Sequence, residues 1–169
     1  DEFNQTMLVQ APVGADESDV AIVLQALLDR HAMLRLRVDP EADGWSLTAP
    51  EKGTVDARDC LQSVDEVTDD LIVQARSRLN PQTGAMLSAI WAAATGQLVV
   101  IIHHLAVDAV SWRILLEDLN VAWVRHRAGQ PVVLPVTGTS FAQWATRLSE
   151  RATHPEVVDC VDTWKAVTA

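Results

Sequence analysis

Apolar residues recur every three to four positions in four stretches of the chain, and this spacing predicts amphipathic helices. The predicted helices span residues 17 to 32, residues 65 to 79, residues 111 to 128 and a segment that follows Ser140. Gly129 suits the left-handed residue just beyond a helix end, and Ser140 with Gln143 matches a capping box. The third helix is expected to bury Leu115, Leu119, Ala122, Trp123 and His126, and the fourth to bury Phe141, Trp144, Ala145 and Leu148.

Short alternating or continuous apolar runs predict the strands. These runs are Met7 to Gln10, Leu34 to Val38, Trp45 to Thr48, Met86 to Ala94 and Leu98 to His104. A turn over residues 39 to 44 joins the second and third strands, and Thr95-Gly96-Gln97 closes the last two into a central antiparallel hairpin. The pattern therefore predicts an α/β (α+β) fold, a two-layer sandwich of helices packed on a mixed, mostly antiparallel sheet.

Charge and hydropathy disfavour two kinds of partner. The 169 residues have a formal net charge of −10 and no cluster of Lys and Arg, which disfavours nucleic acid. The longest apolar run, residues 98 to 102, is far shorter than the roughly 20 residues of a membrane span, and the first residues do not resemble a signal peptide. We expect a soluble, cytoplasmic protein that binds neither nucleic acid nor membrane.

Length and cysteine spacing bound the organisation of the chain. Its length suits one compact domain, but the opening inside an apolar strand without an initiating Met indicates a piece of a larger protein. Cys60 and Cys160 stand apart from any metal-ligand spacing, so we expect reduced structural thiols and neither a zinc site nor a disulfide.

The segment His103-His104-Leu105-Ala106-Val107-Asp108 stands at the carboxyl end of the most apolar strand, directly before a helix. Because side chains alternate across a strand, the two histidines are expected to point to opposite faces and to have different roles. One imidazole can donate a hydrogen bond to a backbone carbonyl, while the other exchanges a proton near neutral pH. Two structural histidines fit the spacing equally well, and a metal site is disfavoured because adjacent side chains diverge.

The neighbouring polar residues also have alternative interpretations. Asp108 can cap the following helix or pair with a buried cation, and Ser111 can supply the cap instead. A nucleophilic Ser111 is not predicted, because no G-x-S-x-G segment surrounds it. His31 and His126 lie on helix stripes and are expected to be core or boundary residues.

The string His103-His104-Leu105-Ala106-Val107-Asp108-Ala109 resembles the His-His-x-x-x-Asp-Gly signature of nonribosomal peptide synthetase condensation domains, which belong to the chloramphenicol acetyltransferase-like superfamily. Residues 30 to 35 resemble the family's Arg-His-x-x-Leu-Arg motif, and Phe3-Asn4-Gln5 resembles its first strand. The segment from residue 107 to 119, and Trp112 above all, is similar to the epimerization branch, as are residues 139 to 145. A peptide-bond-forming condensation lobe and a catalytically inactive carrier-docking lobe remain alternatives.

The resemblance implies roles for individual residues. His104 would be the general acid/base facing a tunnel between two lobes, His103 would be structural, and Asp108 would form a salt bridge with Arg35. Ser111 and Trp112 would mark the channel or the subtype. Ala109 replaces the signature's Gly, so it would strain the loop or narrow the channel unless the backbone φ there is negative.

The resemblance also implies the partners. The substrate would arrive on the 4′-phosphopantetheine arm of a peptidyl or acyl carrier protein, with no metal or dissociable cofactor. An opposing Glu would come from a C-terminal lobe, because residues 1 to 169 would form only the N-terminal lobe. We therefore expect the isolated lobe to be inactive.

Overall fold

The computed structural model describes residues 3–42, 44–135 and 138–168. The chain divides into two compact units, Asp1–Pro135 and Val136–Ala169. Within the described ranges, the first unit contains six strands, and the regular elements of the second are helices.

Six strands form two separate sheets. Their bounds are Asn4–Gln10 (β1), Arg37–Glu41 (β2), Gly44–Thr48 (β3), Leu61–Val64 (β4), Leu87–Ala92 (β5) and Gln97–His103 (β6). The main sheet has the order β1-β6-β5-β4, in which only the β4–β5 pair is parallel, and β2 with β3 forms an antiparallel hairpin. The predicted α/β fold with a mixed, mostly antiparallel sheet is confirmed.

The helices are Glu17–Arg30 (α1), Ala57–Cys60 (α2), Asp69–Ser77 (α3), Ala109–Arg127 (α4), Phe141–Ala152 (α5), Pro155–Val158 (α6) and Val161–Thr168 (α7), with a 3₁₀ helix at Ala32–Arg35. Helix α1 begins with a capping box between Asp16 and Asp19. Gly129 follows α4 with a φ of 66°, as its predicted place beyond the helix end requires. None of the helices in the described ranges has the length and hydrophobicity needed to cross a bilayer.

One face of the main sheet packs against α1 and α4. The apolar side chains that share this core include Leu24, Leu28, Val100, Ile102 and Leu115. Leu24 and Leu28 are fully buried, and each buried leucine contributes about 1.5–3 kcal/mol to the free energy of unfolding. This core determines where the carboxyl end of β6 lies relative to the start of α4.

The other face of the sheet packs against α3. Ala75 and Leu79 contact Ile90, Val99 and Ile101, which alternate along β5 and β6 with the residues of the first core. Because both faces are covered, all six residues of β5 are buried. The structure thus adds a helix to the second face of the predicted sandwich.

Two predicted elements differ in the structure, and one strand was not predicted. Leu34 and Arg35 belong to a 3₁₀ helix, and both side chains are buried, so the predicted alternation of buried apolar and exposed charged residues does not hold there. The second helix begins only at Asp69, after Thr68, whose hydroxyl accepts a hydrogen bond from the backbone N–H of Leu71. Strand β4 was not predicted, since its four residues are too few to show a period. Part of the predicted turn, residue 43, lies outside the described residues.

Burial along α4 and α5 agrees only partly with the predicted stripes. Leu115 and Ala122 are buried, whereas Leu119, Trp123 and His126 lie at the boundary of the core. The predicted capping box of α5 is present. Its predicted inner face is wrong, because Phe141, Trp144, Ala145 and Leu148 are all exposed. Helical periodicity alone cannot reveal whether an apolar stripe has a partner.

Candidate active site

His103 ends β6 and is 3% exposed. The backbone N–H of Leu105 donates to its Nδ1 over 3.2 Å, so this nitrogen serves as an acceptor. Burial, with a smaller effect of neighbouring His104, lowers the pKa of His103 from its ordinary value of 6.5. These surroundings favour a neutral ring that is shielded from solvent.

His104 directly follows β6 and is only partly buried. Its backbone N–H donates to the carbonyl of Phe3 over 3.0 Å, which continues the β1–β6 pairing by one residue. Its Nδ1 lies 2.7 Å from the carbonyl oxygen of Val107. A carbonyl can only accept, so Nδ1 carries the proton, and Nε2 is left as the nitrogen that can take one.

Phe3 and Gln5 contact the ring of His104, and Trp112 in turn contacts Gln5. The Phe3 ring stacks on it at a centroid distance of 4.9 Å and an interplanar angle of 24°. Gln5 Nε2 lies 3.3 Å from His104 Nε2, and Trp112 Nε1 donates to Gln5 Oε1 over 2.8 Å. Trp112 is 8% exposed and belongs to the core between the sheet and α4. The catalytic candidate is therefore linked to buried structure through Gln5.

The chemical role of Gln5 was not predicted, although it was noted within the first-strand resemblance. Met7 and Val9 pack against the core beneath α1 and α4, and Gln5 stands two positions before Met7 on the same strand. Alternation therefore places a polar amide on the core-facing side of β1. The signal that could have identified Gln5 is a polar residue at a core-facing position near a reactive histidine.

Asp108 is the N-cap of α4. Its Oδ1 accepts hydrogen bonds from the backbone N–H of Ser111 over 2.7 Å and from the Ser111 hydroxyl over 2.6 Å. These bonds, first that from the hydroxyl, lower the pKa of the Asp108 carboxyl. Of the two residues that could cap this helix, Asp108 accepts from the helix backbone and Ser111 supports it.

The expected salt bridge between Arg35 and Asp108 is not formed. The guanidinium of Arg35 donates to the carbonyls of Leu28, Asp29 and Pro50, and the residue is only 6% exposed. Burial lowers its pKa. Arg35 thus satisfies carbonyls where α1 ends, whereas Asp108 satisfies N–H groups where α4 begins. Backbone carbonyls and N–H groups at helix ends need hydrogen-bond partners, and these groups take up both Arg35 and Asp108. The pattern of residue types does not show where such groups lie.

Ala109 is the first residue of α4 and is exposed. Positive φ angles in the described residues occur only at glycines, so Ala109 lies on the allowed side for an L side chain. Strain at this position is therefore excluded. The first turn of a helix needs no glycine, and Ala is a strong helix former.

Other chemistry-bearing residues lie apart from this loop. Cys60 and Cys160 are free thiols, and burial raises the pKa of Cys60 to about 11. A pocket of about 280 Å³ beside Cys60 is also lined by Arg78 and Ser88, but by none of residues 103–112. Within the described ranges, no group of three or more His, Cys, Asp or Glu residues could hold a metal ion.

Comparison with known proteins identifies relatives along almost the whole chain. Tyrocidine synthase 2 from Brevibacillus parabrevis is 32% identical over 172 residues, which cover 96% of this chain and 5% of that protein. Tyrocidine synthase 1 from the same organism is 27% identical, with 98% of this chain and 16% of that protein covered. The chain thus spans only a small part of these synthetases.

Solved structures show the same fold. The epimerization domain from the third module of tyrocidine synthetase B superposes with a TM-score of 0.84 and 26% identity, covering 99% of this chain and 40% of that chain. The X-domain from teicoplanin biosynthesis, with a TM-score of 0.74 and 19% identity over 96% of this chain and 38% of that chain, shares the fold. The family model for the condensation domain matches residues 1–168. This chain belongs to the condensation-domain family of nonribosomal peptide synthetases.

Proposed function

We propose that this chain is the N-terminal lobe of an epimerization domain, which converts a carrier-bound L-aminoacyl or peptidyl thioester to its D form. The observation that carries the proposal is the geometry of His104, whose Nδ1–H is held by the Val107 carbonyl while Nε2 retains a lone pair. An imidazole in this tautomer can remove a proton at a partly exposed site. The similarity to an epimerization domain, and Trp112 beside the site, support this subtype.

The reaction needs two proton transfers. His104 Nε2 takes the Cα proton, and the electrons of the broken C–H bond move into the thioester carbonyl to give an enolate. A second acid, by resemblance a Glu from a C-terminal lobe, then delivers a proton to the opposite face of Cα. One proton leaves and one returns, so no oxidant, reductant or metal is required. His103 and Asp108 would support the loop, and Ser111 and Trp112 would mark the subtype.

The substrate would be held covalently on the 4′-phosphopantetheine arm of a peptidyl or acyl carrier domain in the cytoplasm. This chain has a formal net charge of −10, so bulk attraction of an acidic carrier is disfavoured. Docking would instead depend on local apolar or basic contacts. Ala109 stands exposed at the start of α4 and would border the channel for the arm.

A peptide-bond-forming condensation domain is the second candidate, and it is supported by the family model that spans residues 1–168. The same Nε2 lone pair would then assist a proton transfer from the acceptor amine instead of one from Cα. A catalytically inactive lobe that only docks carriers would need no free lone pair. The three functions differ in their products.

A carrier loaded with an L-aminoacyl group and assayed with the intact two-lobed domain tests the proposal. We expect D product and solvent deuterium at Cα, both lost in His104→Ala by about 100-fold or more. His154→Ala, at an exposed histidine in the second unit, is the matched control and should behave as wild type. Unchanged epimerization in His104→Ala would refute the base assignment. In a parallel reaction that adds a second aminoacyl carrier as acceptor, peptide formation without deuterium exchange would indicate condensation, and no product from wild type in either reaction would indicate a docking lobe.

A further inference from the structure

We infer that Gln5 and Trp112 form a positioning pair that fixes the tautomer of His104 and directs the Nε2 lone pair that the proposed reaction uses. The catalytic part of this inference rests on the proposed function, whereas the tautomer itself is a property of the folded domain. Neither residue is expected to exchange a proton.

The chain of donors and acceptors begins at Trp112. An indole N–H can only donate, so the Gln5 group that faces Trp112 Nε1 at 2.8 Å must be the amide oxygen. The amide NH₂ of Gln5 is thereby directed to His104 Nε2, 3.3 Å away. Since the NH₂ can only donate, His104 Nε2 must accept. The buried Trp112 indole thus determines that His104 Nε2 is the accepting nitrogen. It does so through Gln5, and not through a hydrogen bond of its own to the His104 ring.

The hydrogen bond on the opposite side of the His104 ring indicates the same tautomer independently. His104 Nδ1 lies 2.7 Å from the Val107 carbonyl, which requires a proton on Nδ1. Both nitrogens are therefore assigned by fixed partners, one on each side of the imidazole. The agreement of the two ends distinguishes this arrangement from a single chance contact.

The pair also affects the protonated ring. Once Nε2 gains a proton it becomes a donor facing the Gln5 NH₂, and that hydrogen bond is lost. Turning the amide over would restore it only by directing the NH₂ at the Trp112 N–H. Among the described residues, the titratable groups nearest to His104 in the chain are His103 and Asp108, and Asp108 accepts hydrogen bonds at the α4 N-terminus. Gln5 can therefore donate only to a ring whose Nε2 is unprotonated, and its hydrogen bond forms again once the proton has left.

The bond from Gln5 is also one that a substrate can replace. At 3.3 Å it is longer than the usual 2.9–3.0 Å of an N–H donor bond, and thus weak. The Cα–H of a bound thioester can take its place at Nε2, while Trp112 keeps hold of the Gln5 oxygen. The amide then stays aligned for the next cycle.

Ring ¹⁵N spectroscopy of the intact two-lobed domain, labelled in its histidines, tests the tautomer directly. The His104 signals are identified by their loss in His104→Gln. We expect wild type to show a protonated Nδ1 and an unprotonated Nε2 in the neutral ring. Gln5→Glu supplies an acceptor and should keep Nε2 protonated to higher pH. Trp112→Phe releases the Gln5 amide, whose oxygen can then turn to face Nε2, so the Nε2 signal should move from its wild-type position while the Val107 carbonyl keeps the proton on Nδ1.

Matched controls lie on the same two elements. Gln10→Glu changes an amide of β1 that binds the carbonyls of Thr95 and Gly96, and Trp123→Phe changes a second indole of α4. Both should leave the His104 signals at their wild-type positions. A neutral wild-type ring protonated at Nε2, or Gln5→Glu spectra identical to wild type in folded protein, would overturn the inference. If Trp112→Phe fails to fold, the Gln5→Glu result decides.

Catalysis supplies the second readout. Gln5→Glu should lower kcat at pH 7 by about tenfold or more, with KM for the loaded carrier nearly unchanged and part of the rate regained at higher pH. A purely structural role would give the same loss at every pH. An inactive wild type with the expected ring spectra would refute the proposed function and leave the positioning pair intact.

Discussion

His31 Nε2 lies 2.8 Å from Asp118 Oδ2, which joins the residue just after α1 to a buried carboxylate in the middle of α4. In a second pair, His126 Nε2 lies 2.6 Å from Asp19 Oδ1, which joins the end of α4 to the start of α1. The two helices that cover one face of the sheet are thus connected near both ends of α1 by histidine–aspartate pairs.

The first prediction concerns the pH dependence of stability. Burial, which outweighs the hydrogen bond to Asp118, lowers the pKa of His31 below its ordinary 6.5. Between the lowered pKa of His31 in the folded state and its ordinary 6.5 in the unfolded state, the unfolded chain binds more protons. The free energy of unfolding should therefore fall as the pH drops below about 6.5. The hydrogen bond from His126 lowers the pKa of Asp19, so a further loss should follow below about pH 3.8.

Urea unfolding of the domain at a series of pH values measures this dependence. His31→Gln should flatten the segment just below pH 6.5, whereas the exposed control His154→Gln should preserve it. A wild-type stability that rises as the pH is lowered through this range would contradict the assigned direction.

The second prediction is that Arg35 and Asp108 contribute independently to the free energy of unfolding. Replacing Arg35 with Met leaves buried carbonyls at the end of α1 without donors, which should cost about 1–3 kcal/mol of unfolding free energy. Asp108→Ala removes the α4 cap and should also destabilise the domain. Because the two side chains share no contact, the double variant should lose the sum of the two effects. A coupling well beyond measurement error in urea unfolding would instead indicate an ion pair.

The third prediction concerns Ala109. Restoring the signature's Gly should lower the free energy of unfolding slightly, by less than about 1 kcal/mol, because Ala109 is already helical and Gly is the poorer helix former. Thermal unfolding measures the change. A clear stabilisation by Ala109→Gly would mean that the alanine is strained.

The fourth prediction concerns thiol reactivity. Burial raises the pKa of Cys60 to about 11 from an ordinary 9.0, so its thiolate fraction at pH 8 should be about 100-fold below that of an ordinary thiol. Iodoacetamide with mass spectrometry should therefore label the exposed Cys160 first. In denaturant the two cysteines should react alike. Rapid labelling of Cys60 in the folded domain would contradict the raised pKa.

Local signals predicted much of the fold. The long helix α4, the central β5–β6 hairpin and the caps at Ser140 and Gly129 were all visible, because each depends on residues within a few positions of one another. Short elements such as β4 were not, since a parallel strand is defined by a partner more than twenty residues away.

Only the central residues of the site, His103 and His104, could be predicted from the sequence. The residue types and order around His103 and His104 indicated a reactive loop, and the resemblance indicated which ring to favour. Gln5 is separated from His104 by 99 positions and from Trp112 by 107, and the three come together only through the β1–β6 register and the packing of α4 on the sheet. Arg35 was assigned an ionic partner, whereas its buried guanidinium binds backbone carbonyls.

The sequence by itself determined most of the longer strands and helices, and placed two histidines where the most apolar strand ends. Those choices are local, because they follow from side-chain periodicity and capping within single elements. The tertiary structure alone decided which nitrogen of His104 holds a proton. That choice depends on the hydrogen bond that the Val107 carbonyl accepts from Nδ1 and on the one that the Gln5 amide donates to Nε2, and Gln5 reaches the ring only when two distant strands pair.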